Sequence, residues 1–289
     1  MIRRPATTLM AGALLALAAC GSSGEAAVTT STTVPTTTTV PTTTTGSDTS
    51  TTTSIPDRLT VLVTNDDGIG APGFDALVTA LSAVDGLDIV VVAPAADQSG
   101  TSDKTTPGGA SHADATTISG VAGTAVDGFP ADSVNVALDE LGITPDLVVS
   151  GINKGQNTGN LAYASGTVGA ARTAARRGIP AVAGSAGLDG TPNFDDAAAL
   201  VVAWIEAHRA ALVAGTVSVD TITSFNVPSC TAGVMRPELL KVPLAAAIPA
   251  GVDPFHSDCT VTPAATPTDD VAALVAGHPA ETLVPIEAP

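Results

Sequence analysis

The chain has 289 residues and a formal net charge of −17 at pH 7, with 11 Lys and Arg residues against 28 Asp and Glu residues. Such a charge argues against a nucleic-acid polymer as partner, because phosphates are repelled unless a basic face is present. Aromatic residues make up only 2% of the chain, and its many small apolar side chains are typical of close helix-on-sheet packing.

The first twenty residues are typical of a secretory signal. Arg3 and Arg4 precede an apolar run from Leu9 to Ala19, which is shorter than the about 20 residues that span a bilayer. Cys20 directly follows Leu-Ala-Ala, and this arrangement resembles a bacterial lipobox. We therefore expect export, lipidation of Cys20 and a lipid anchor on the extracytoplasmic side of a bacterial membrane. An ordinary signal peptide with an incidental cysteine is the alternative.

Residues 21–55 are rich in threonine and proline and predict a disordered linker, because they contain few side chains that form a core. The rest of the chain is long enough for one sizeable core. We divide it into a catalytic core over 56–215 and a C-terminal segment over 216–289. The C-terminal segment is expected to complete the domain and is a candidate oligomerisation region.

The core alternates strands and helices. In chain order, the pattern first predicts a strand over Leu59–Thr64, a helix from Pro72, a strand over Asp88–Ala93 and a β excursion within 115–126. It then predicts a helix from Pro130, a strand over Asp146–Ser150 and a helix over Gly166–Arg177. The last elements are a strand over Ile179–Ser185, a helix over Phe194–Leu212 and a strand over Thr221–Asn226. Continuous Val and Ile runs indicate parallel strands buried on both faces. The expected fold is α/β, a doubly wound, mostly parallel Rossmann-like sheet with a small C-terminal appendage.

Polar, glycine-rich segments follow three of these strands, after Thr64, Ala93 and Ser150. In an open parallel sheet, ligands bind outside the carboxyl ends of the strands, where the topology switches. We therefore expect these three segments to converge on one crevice.

Asp66 and Asp67 lie side by side at the end of the first strand, and a bound cation would relieve their mutual repulsion. An Asx-rich turn is the equal alternative, because Asn-Asp-Asp-Gly is good turn chemistry by itself. The glycines from Gly68 to Gly73 also match a dinucleotide fingerprint. Two observations weigh against a dinucleotide site. Asp66 and Asp67 would face the pyrophosphate with like charge, and the second strand ends at Pro94, where a ribose-binding acid would be needed.

The segments after the second and third strands supply further oxygens, as hydroxyls within 98–102 and amides within 150–157. Together with the two aspartates they form an all-oxygen set, which suits one divalent hard ion: Mg²⁺ or Mn²⁺, with Ca²⁺ as a third candidate. None of the four histidines has zinc-ligand spacing. Ordinary loops are the alternative for both segments.

Ser165, Gly166 and Thr167 open a predicted helix, where free backbone N–H groups and the positive end of the dipole favour a phosphate. Simple N-capping by Ser165 is the alternative. Separately, if Cys20 carries lipid, Cys230 and Cys259 remain as an even pair in an oxidising compartment. These two cysteines are expected either to form a disulfide or to remain as two unpaired buried thiols.

Four motifs in register resemble the survival protein SurE family of metal-dependent 5′-nucleotidases. They are Thr-Asn-Asp-Asp-Gly at 64–68 with Ala-Pro-Gly at 71–73, Ala-Pro at 93–94 with Gln-Ser-Gly at 98–100, Pro-Asp-Leu-Val-Val-Ser-Gly-Ile-Asn at 145–153, and Ser-Gly-Thr-Val-Gly-Ala-Ala at 165–171.

The resemblance implies hydrolysis of nucleoside 5′-monophosphates and a homodimer or homotetramer. It assigns the metal ligands to Asp66, Asp67, Ser99 and Asn153, and we expect either Asp66 or Asp67 also to act in catalysis by orienting or deprotonating the attacking water. It assigns the phosphate contacts to Asn157, Ser165, Gly166 and Thr167.

The chain departs from the family pattern at five positions, which are Gly70, Ala95, Ala96, Asn160 and Leu161. None of them removes a proposed ligand. Two alternatives to catalysis are a surface-tethered, non-catalytic binder of nucleotides or phosphate, and an α/β domain used for cell-envelope contacts.

Overall fold

The computed structural model describes residues 58–260 and 262–288. The predicted signal, Cys20 and the linker over 21–55 lie outside the described residues. Within the part of the chain that the structure describes, no helix combines the length and the apolar character needed to cross a membrane.

The described residues form nine strands in one sheet, in the order β3-β4-β2-β1-β5-β6-β7-β9-β8. The strands are β1 Leu59–Thr64, β2 Leu87–Pro94, β3 Ser111–Thr116, β4 Ala122–Asp127, β5 Leu147–Lys154, β6 Ala181–Ala186, β7 Thr221–Val227, β8 Leu240–Lys241 and β9 Ala280–Pro285. The six from β4 to β7 in this order are parallel, whereas β3 and β9 join as antiparallel neighbours. The predicted mostly parallel sheet is confirmed.

Helices cover both faces of the sheet. They are α1 Pro72–Ser82, α2 Pro130–Asn135 with a π-helical turn over Val136–Glu140, α3 Gly166–Arg176, α4 Phe194–Val213 and α5 Asp270–Val275. The buried side chains of α1 and α4 form one apolar core with the sheet, and those of α2 and α3 form a second core. A proline at the first position starts both α1 and α2, where its fixed φ suits a helix and its missing N–H has no partner to lose. The fold is therefore doubly wound.

Two strands extend beyond their predicted bounds. β3 begins at Ser111 and pairs with β4 although its side chains are mostly exposed, so it lacks the apolar pattern that marks a strand. β5 continues beyond Ser150 to Lys154, with an irregular register between Ser150 and Asn153. Gly151 has a φ of 136° at this irregularity, a conformation that side chains with a Cβ rarely adopt. Asn153 consequently lies on a strand rather than in a loop.

The C-terminal segment completes the far edge of the sheet. β9 pairs antiparallel with β7, and Cys230 and Cys259 are joined by a disulfide with a Cα–Cα distance of 6.0 Å. The buried carboxylate of Asp270 accepts backbone hydrogen bonds from Ala245 at 2.8 Å and from Gly159 at 2.9 Å. This carboxylate ties the C-terminal segment to the loop that follows β5.

The topology switches between β1 and β5. From β1 the chain runs outward to β2 and β4, then returns to β5 on the other side of β1 and continues to β6 and β7. The carboxyl ends of β1 and β5 therefore flank the crevice where ligands bind in doubly wound folds.

Candidate functional site

Five of the predicted site residues line one cavity of about 280 Å³ at this crevice. They are Asp66, Ser99, Asn153, Asn157 and Ser165. They come from the segments after β1 and β2, from β5 and its following loop, and from the start of α3. The expected convergence of three loops at one sheet edge is what the structure displays.

Asp66 is buried beneath the start of α3, with 2% of its surface exposed. Its Oδ1 accepts the hydroxyl hydrogen of Thr167. A Cβ added to Gly166 would lie 2.8 Å from the Cβ of Asp66, so only glycine allows this approach. Burial is the main reason that the pKa of Asp66 rises to about 6, with Asp67 adding repulsion and Thr167 opposing the rise.

Asp67 lies beside this cavity and lines a larger neighbouring one of about 540 Å³. Its Oδ2 accepts the backbone N–H of Lys154 at 2.9 Å. Burial raises the pKa of Asp67, and the nearby Asp97 carboxylate raises it further, while Lys154 acts in the opposite direction. Lys154 lines both cavities.

Ser99 is exposed at the mouth of the cavity, and its hydroxyl donates to Oδ1 of Asp97 at 2.7 Å. Its loop packs on α3, because Ser102 donates its N–H to the Ala164 carbonyl at 3.1 Å. At Gly169 an added Cβ would lie 2.1 Å from the Ser102 carbonyl oxygen, so a glycine is needed there for the loop to approach the helix. Asp97 was missed in the sequence, although a carboxylate two residues before a proposed ligand was a usable signal.

The two asparagines are held in place by their amide groups. Asn153 donates its Nδ2 to the Gly155 carbonyl at 2.6 Å, and Asn157 donates its Nδ2 to Ser185 Oγ at 2.9 Å. The backbone N–H of Asn157 donates to Oδ1 of Asn226 on β7 at 2.6 Å. Asn226 was also missed, because a buried asparagine within a strand carries no local signature of a site.

The start of α3 differs in detail from a free phosphate seat. Ser165 caps the helix by accepting the Val168 N–H at 3.2 Å and lines the cavity. Thr167 is fully buried and gives its hydroxyl to Asp66. Ser165 thus faces the cavity, whereas Gly166 and Thr167 contact the carboxylate behind it.

The donor set fits a hard divalent cation. Asp66 and Asp67 supply carboxylate oxygens, and Asn153 retains its amide oxygen, since only its Nδ2 donates a hydrogen bond. The Ser99 hydroxyl donates to Asp97 and keeps its lone pairs free. Carboxylate, amide and hydroxyl oxygens are the ligands of Mg²⁺, Mn²⁺ and Ca²⁺. No group of three or more His, Cys, Asp or Glu residues suited to a metal occurs among the described residues, so a metal here depends on these mixed oxygen ligands.

The cavity also has an apolar side that the sequence analysis missed. Leu161, Leu188 and Phe255 line it together with the polar residues. Phe255 lies 67 positions beyond Leu188, the nearest of the other lining residues in the chain, and its local Pro-rich surroundings carry no periodic signal.

Comparisons with known proteins match this chain to one family. The family model described as survival protein SurE matches residues 61–242. The protein named 5′-nucleotidase SurE from Methanospirillum hungatei is 39% identical over 185 residues, which cover 61% of this chain and 66% of that protein. The protein of the same name from Desulforudis audaxviator is 37% identical over 205 residues, which cover 67% of this chain and 76% of that protein. The namesake from Halobacterium salinarum is 48% identical over 128 residues, covering 44% of this chain and 46% of that protein.

A solved structure shares the fold. The crystal structure of the SurE protein from Aquifex aeolicus aligns with a TM-score of 0.60 and 26% identity, covering 80% of this chain and 94% of that chain. The match to the Methanospirillum and Halobacterium proteins spans only about half to two thirds of their length, 66% and 46%.

Proposed function

The chain belongs to the survival protein SurE family, and we propose that it hydrolyses phosphomonoesters with one divalent metal ion as cofactor. Nucleoside 5′-monophosphates are the proposed substrates, in line with the name 5′-nucleotidase carried by the relatives. The observation that carries the proposal is the single cavity in which Asp66, Ser99, Asn153, Asn157 and Ser165 meet.

Asp66, Asp67, Ser99 and Asn153 are the proposed ligands of Mg²⁺ or Mn²⁺, with Ca²⁺ as the third candidate. When bound, such an ion polarises a phosphoryl oxygen and lowers the pKa of a coordinated water. The protein contributes a carboxylate pair whose repulsion a cation relieves.

Asp66 and Asp67 are the proposed catalytic residues, and one of them orients and deprotonates the attacking water. Without a bound metal, burial raises the pKa of Asp66 to about 6, so a bound cation would stabilise the ionised carboxylate that a general base requires. Thr167 holds the Asp66 carboxylate in place by donating its hydroxyl hydrogen to Oδ1.

Asn157 and Ser165 are the proposed contacts of the phosphoryl group. Asn157 retains one side-chain N–H after its bond to Ser185, and an N–H aimed at the developing charge stabilises a transition state. We propose that Gly166 and Thr167 act mainly as positioning residues, because both contact Asp66.

The test is phosphate release by the purified full chain, after chelation and re-addition of Mg²⁺ or Mn²⁺, from a panel of nucleotides. Asp66→Asn should lose at least about 100-fold of the metal-dependent rate. Asp75→Asn is the matched control, because Asp75 lies on α1 and bonds only the distant Ser119 turn. Full activity in Asp66→Asn would contradict the proposed role of the carboxylate. Nucleotide binding by the wild-type chain without phosphate release would favour a non-catalytic binder instead.

We further propose that the protein is exported and held on the outer face of the membrane by lipid on Cys20, and that it forms a homodimer or homotetramer. The support is the sequence of the first twenty residues and the family resemblance. Nucleosides are taken up more readily than charged nucleotides, so this location fits a scavenging role. A Cys20→Ser chain that still partitions with membranes would refute the lipid anchor, and light scattering would measure the oligomer.

A further inference from the structure

We propose that Phe255, with Leu161 and Leu188, forms a binding surface for the nucleobase of the substrate. This inference rests on the proposed function and adds the part of the site that recognises the aromatic base of the leaving nucleoside. Phe255 is its specificity-determining residue.

The three apolar side chains share one cavity with the proposed phosphate and metal ligands. A phosphoryl group held at Asn157 and Ser165 therefore leaves the rest of a nucleotide within reach of an apolar wall. Phe255 and Leu188 are both 44% exposed, so each has free surface to cover. Covering apolar surface and stacking on a ring favour a planar base.

Exposure of an aromatic ring is unusual in this chain, which contains five phenylalanines, one tyrosine and one tryptophan. Phe74, Phe225 and Trp204 are buried in the core. Within the described residues, several large apolar side chains are substantially exposed, and Phe255 is the one phenylalanine among them. Its place at the mouth of a polar cavity is explained if a ligand covers it.

A network of polar contacts holds the segment that carries Phe255 against the loop that carries Leu188. Gln156 is almost fully buried, accepts the Leu188 N–H at 3.1 Å and donates to the Pro254 carbonyl. On the other side, Asp189 accepts the Ser257 N–H at 2.8 Å. The residues flanking both apolar side chains are thus bonded to each other, which presents a preorganised surface.

Two further contacts fix this segment. His256 Nδ1 lies 2.8 Å from Oδ2 of Asp189, and the disulfide between Cys230 and Cys259 ties the end of the segment to the loop after β7. Phe255 lies outside residues 61–242, the part that matches the family model. Leu161 and Leu188 lie within the matched residues, so Phe255 is the member of this apolar surface that is suited to set a preference particular to this chain.

The larger neighbouring cavity offers an alternative place for the base, because Phe194 and Pro192 line it with Asp67. Phe194 is the first residue of α4 and packs against the buried Gly73, so less of its ring is free. Phe255, in contrast, lines the same cavity as Asn157 and Ser165.

The experiment compares two substrates that share the phosphoryl group, adenosine 5′-monophosphate and glycerol 2-phosphate, of which the second lacks both the base and the ribose. In the full chain with Mg²⁺ or Mn²⁺, Phe255→Ala should lower kcat/KM for the nucleotide by about 10-fold and change it for glycerol 2-phosphate by less than about two-fold. Phe255→Trp should retain the nucleotide activity, because it restores a stacking ring. Ile118→Ala, which truncates a remote side chain that is 60% exposed, is the matched control and should match wild type on both.

Equal losses on both substrates, or no loss on either, would overturn the inference and leave the proposed function intact. Absence of turnover of both substrates by the wild-type chain would contradict the proposed function instead. In that case calorimetric binding of adenosine still tests the surface, because Phe255→Ala should weaken it about 10-fold. Unchanged adenosine binding would again overturn the inference.

Discussion

Replacing Asp66 with asparagine is expected to stabilise the metal-free protein while it abolishes the proposed activity. Burial, opposed in part by Thr167 and assisted by Asp67, raises the pKa of Asp66 from its ordinary 3.8 to about 6. Each pKa unit corresponds to about 1.4 kcal/mol, so holding this carboxylate ionised in the fold costs ~3 kcal/mol. An asparagine avoids the cost and still accepts the Thr167 hydroxyl.

The sign of the pH dependence follows from which state binds more protons. Between pH 3.8 and about 6, the folded protein holds a proton on Asp66 that the unfolded chain has released. The free energy of unfolding therefore falls as pH rises through this window, and the full cost is present above about pH 6. Below pH 3.8 the carboxyl is protonated in both states and the cost is absent.

Urea unfolding of the full chain in the presence of a chelator, from pH 4 to pH 8, measures this difference. Asp66→Asn should exceed wild type by ~3 kcal/mol above pH 6 and approach it near pH 4. Adding Mg²⁺ should narrow or reverse the gap, since a ligand of the folded state at about 100 times its Kd adds about 2.7 kcal/mol. The reasoning would be refuted if the variant were less stable than wild type at pH 7. It would also be refuted if the difference in free energy of unfolding between the two did not change with pH. Asp75→Asn should differ from wild type by less than about 1 kcal/mol at every pH.

Three further changes have definite expected outcomes. Removing the disulfide, by changing both Cys230 and Cys259 to serine, should lower the free energy of unfolding by about 3–4 kcal/mol, because the bond closes a loop with a separation of 29 residues. Asp270→Asn should cost about 1–3 kcal/mol in urea unfolding, because an amide nitrogen replaces an oxygen that accepts a backbone N–H. Gly166→Ala should reduce phosphate release by at least about 10-fold, because the added methyl group displaces the Asp66 carboxylate. The free energy of unfolding of the metal-free protein should change little.

Each of these changes has a control or a contradicting result. Asp269→Ala removes only the cap of the short helix α5, where Asp269 accepts the Ala272 N–H at 2.8 Å, and should cost about 1 kcal/mol. An equal or larger loss there would contradict the special role of the buried Asp270. Thr173→Ala lies on α3 with its hydroxyl on the Gly169 carbonyl and should leave phosphate release unchanged. Wild-type rates in Gly166→Ala would show that Asp66 tolerates displacement, and a disulfide-free chain of unchanged stability would contradict the loop-closure argument.

Local sequence was sufficient to predict the buried strands and the order of the elements. Leu59–Thr64 and the later Val-rich runs are continuous apolar segments of strand length, and the residues around them place prolines at helix starts. Such signals depend on residues a few positions apart, so they can be recognised in the sequence without knowledge of tertiary contacts. Because parallel strands expose their carboxyl ends on one edge, the meeting of Asp66, Ser99 and Asn153 was predictable from the same pattern.

Only the tertiary structure decided how those residues are engaged. Thr167 bonds Asp66 across 101 positions of the chain, and Asn226 bonds the backbone of Asn157 across 69. Phe255 lines the cavity 67 positions beyond Leu188. Their partners are chosen by packing of distant elements, and no periodicity or spacing within one segment encodes that choice. The sequence by itself thus determined the sheet, its helices and the residue types at the crevice, whereas the distances, the burial that raises the Asp66 pKa and the apolar wall arose from long-range packing.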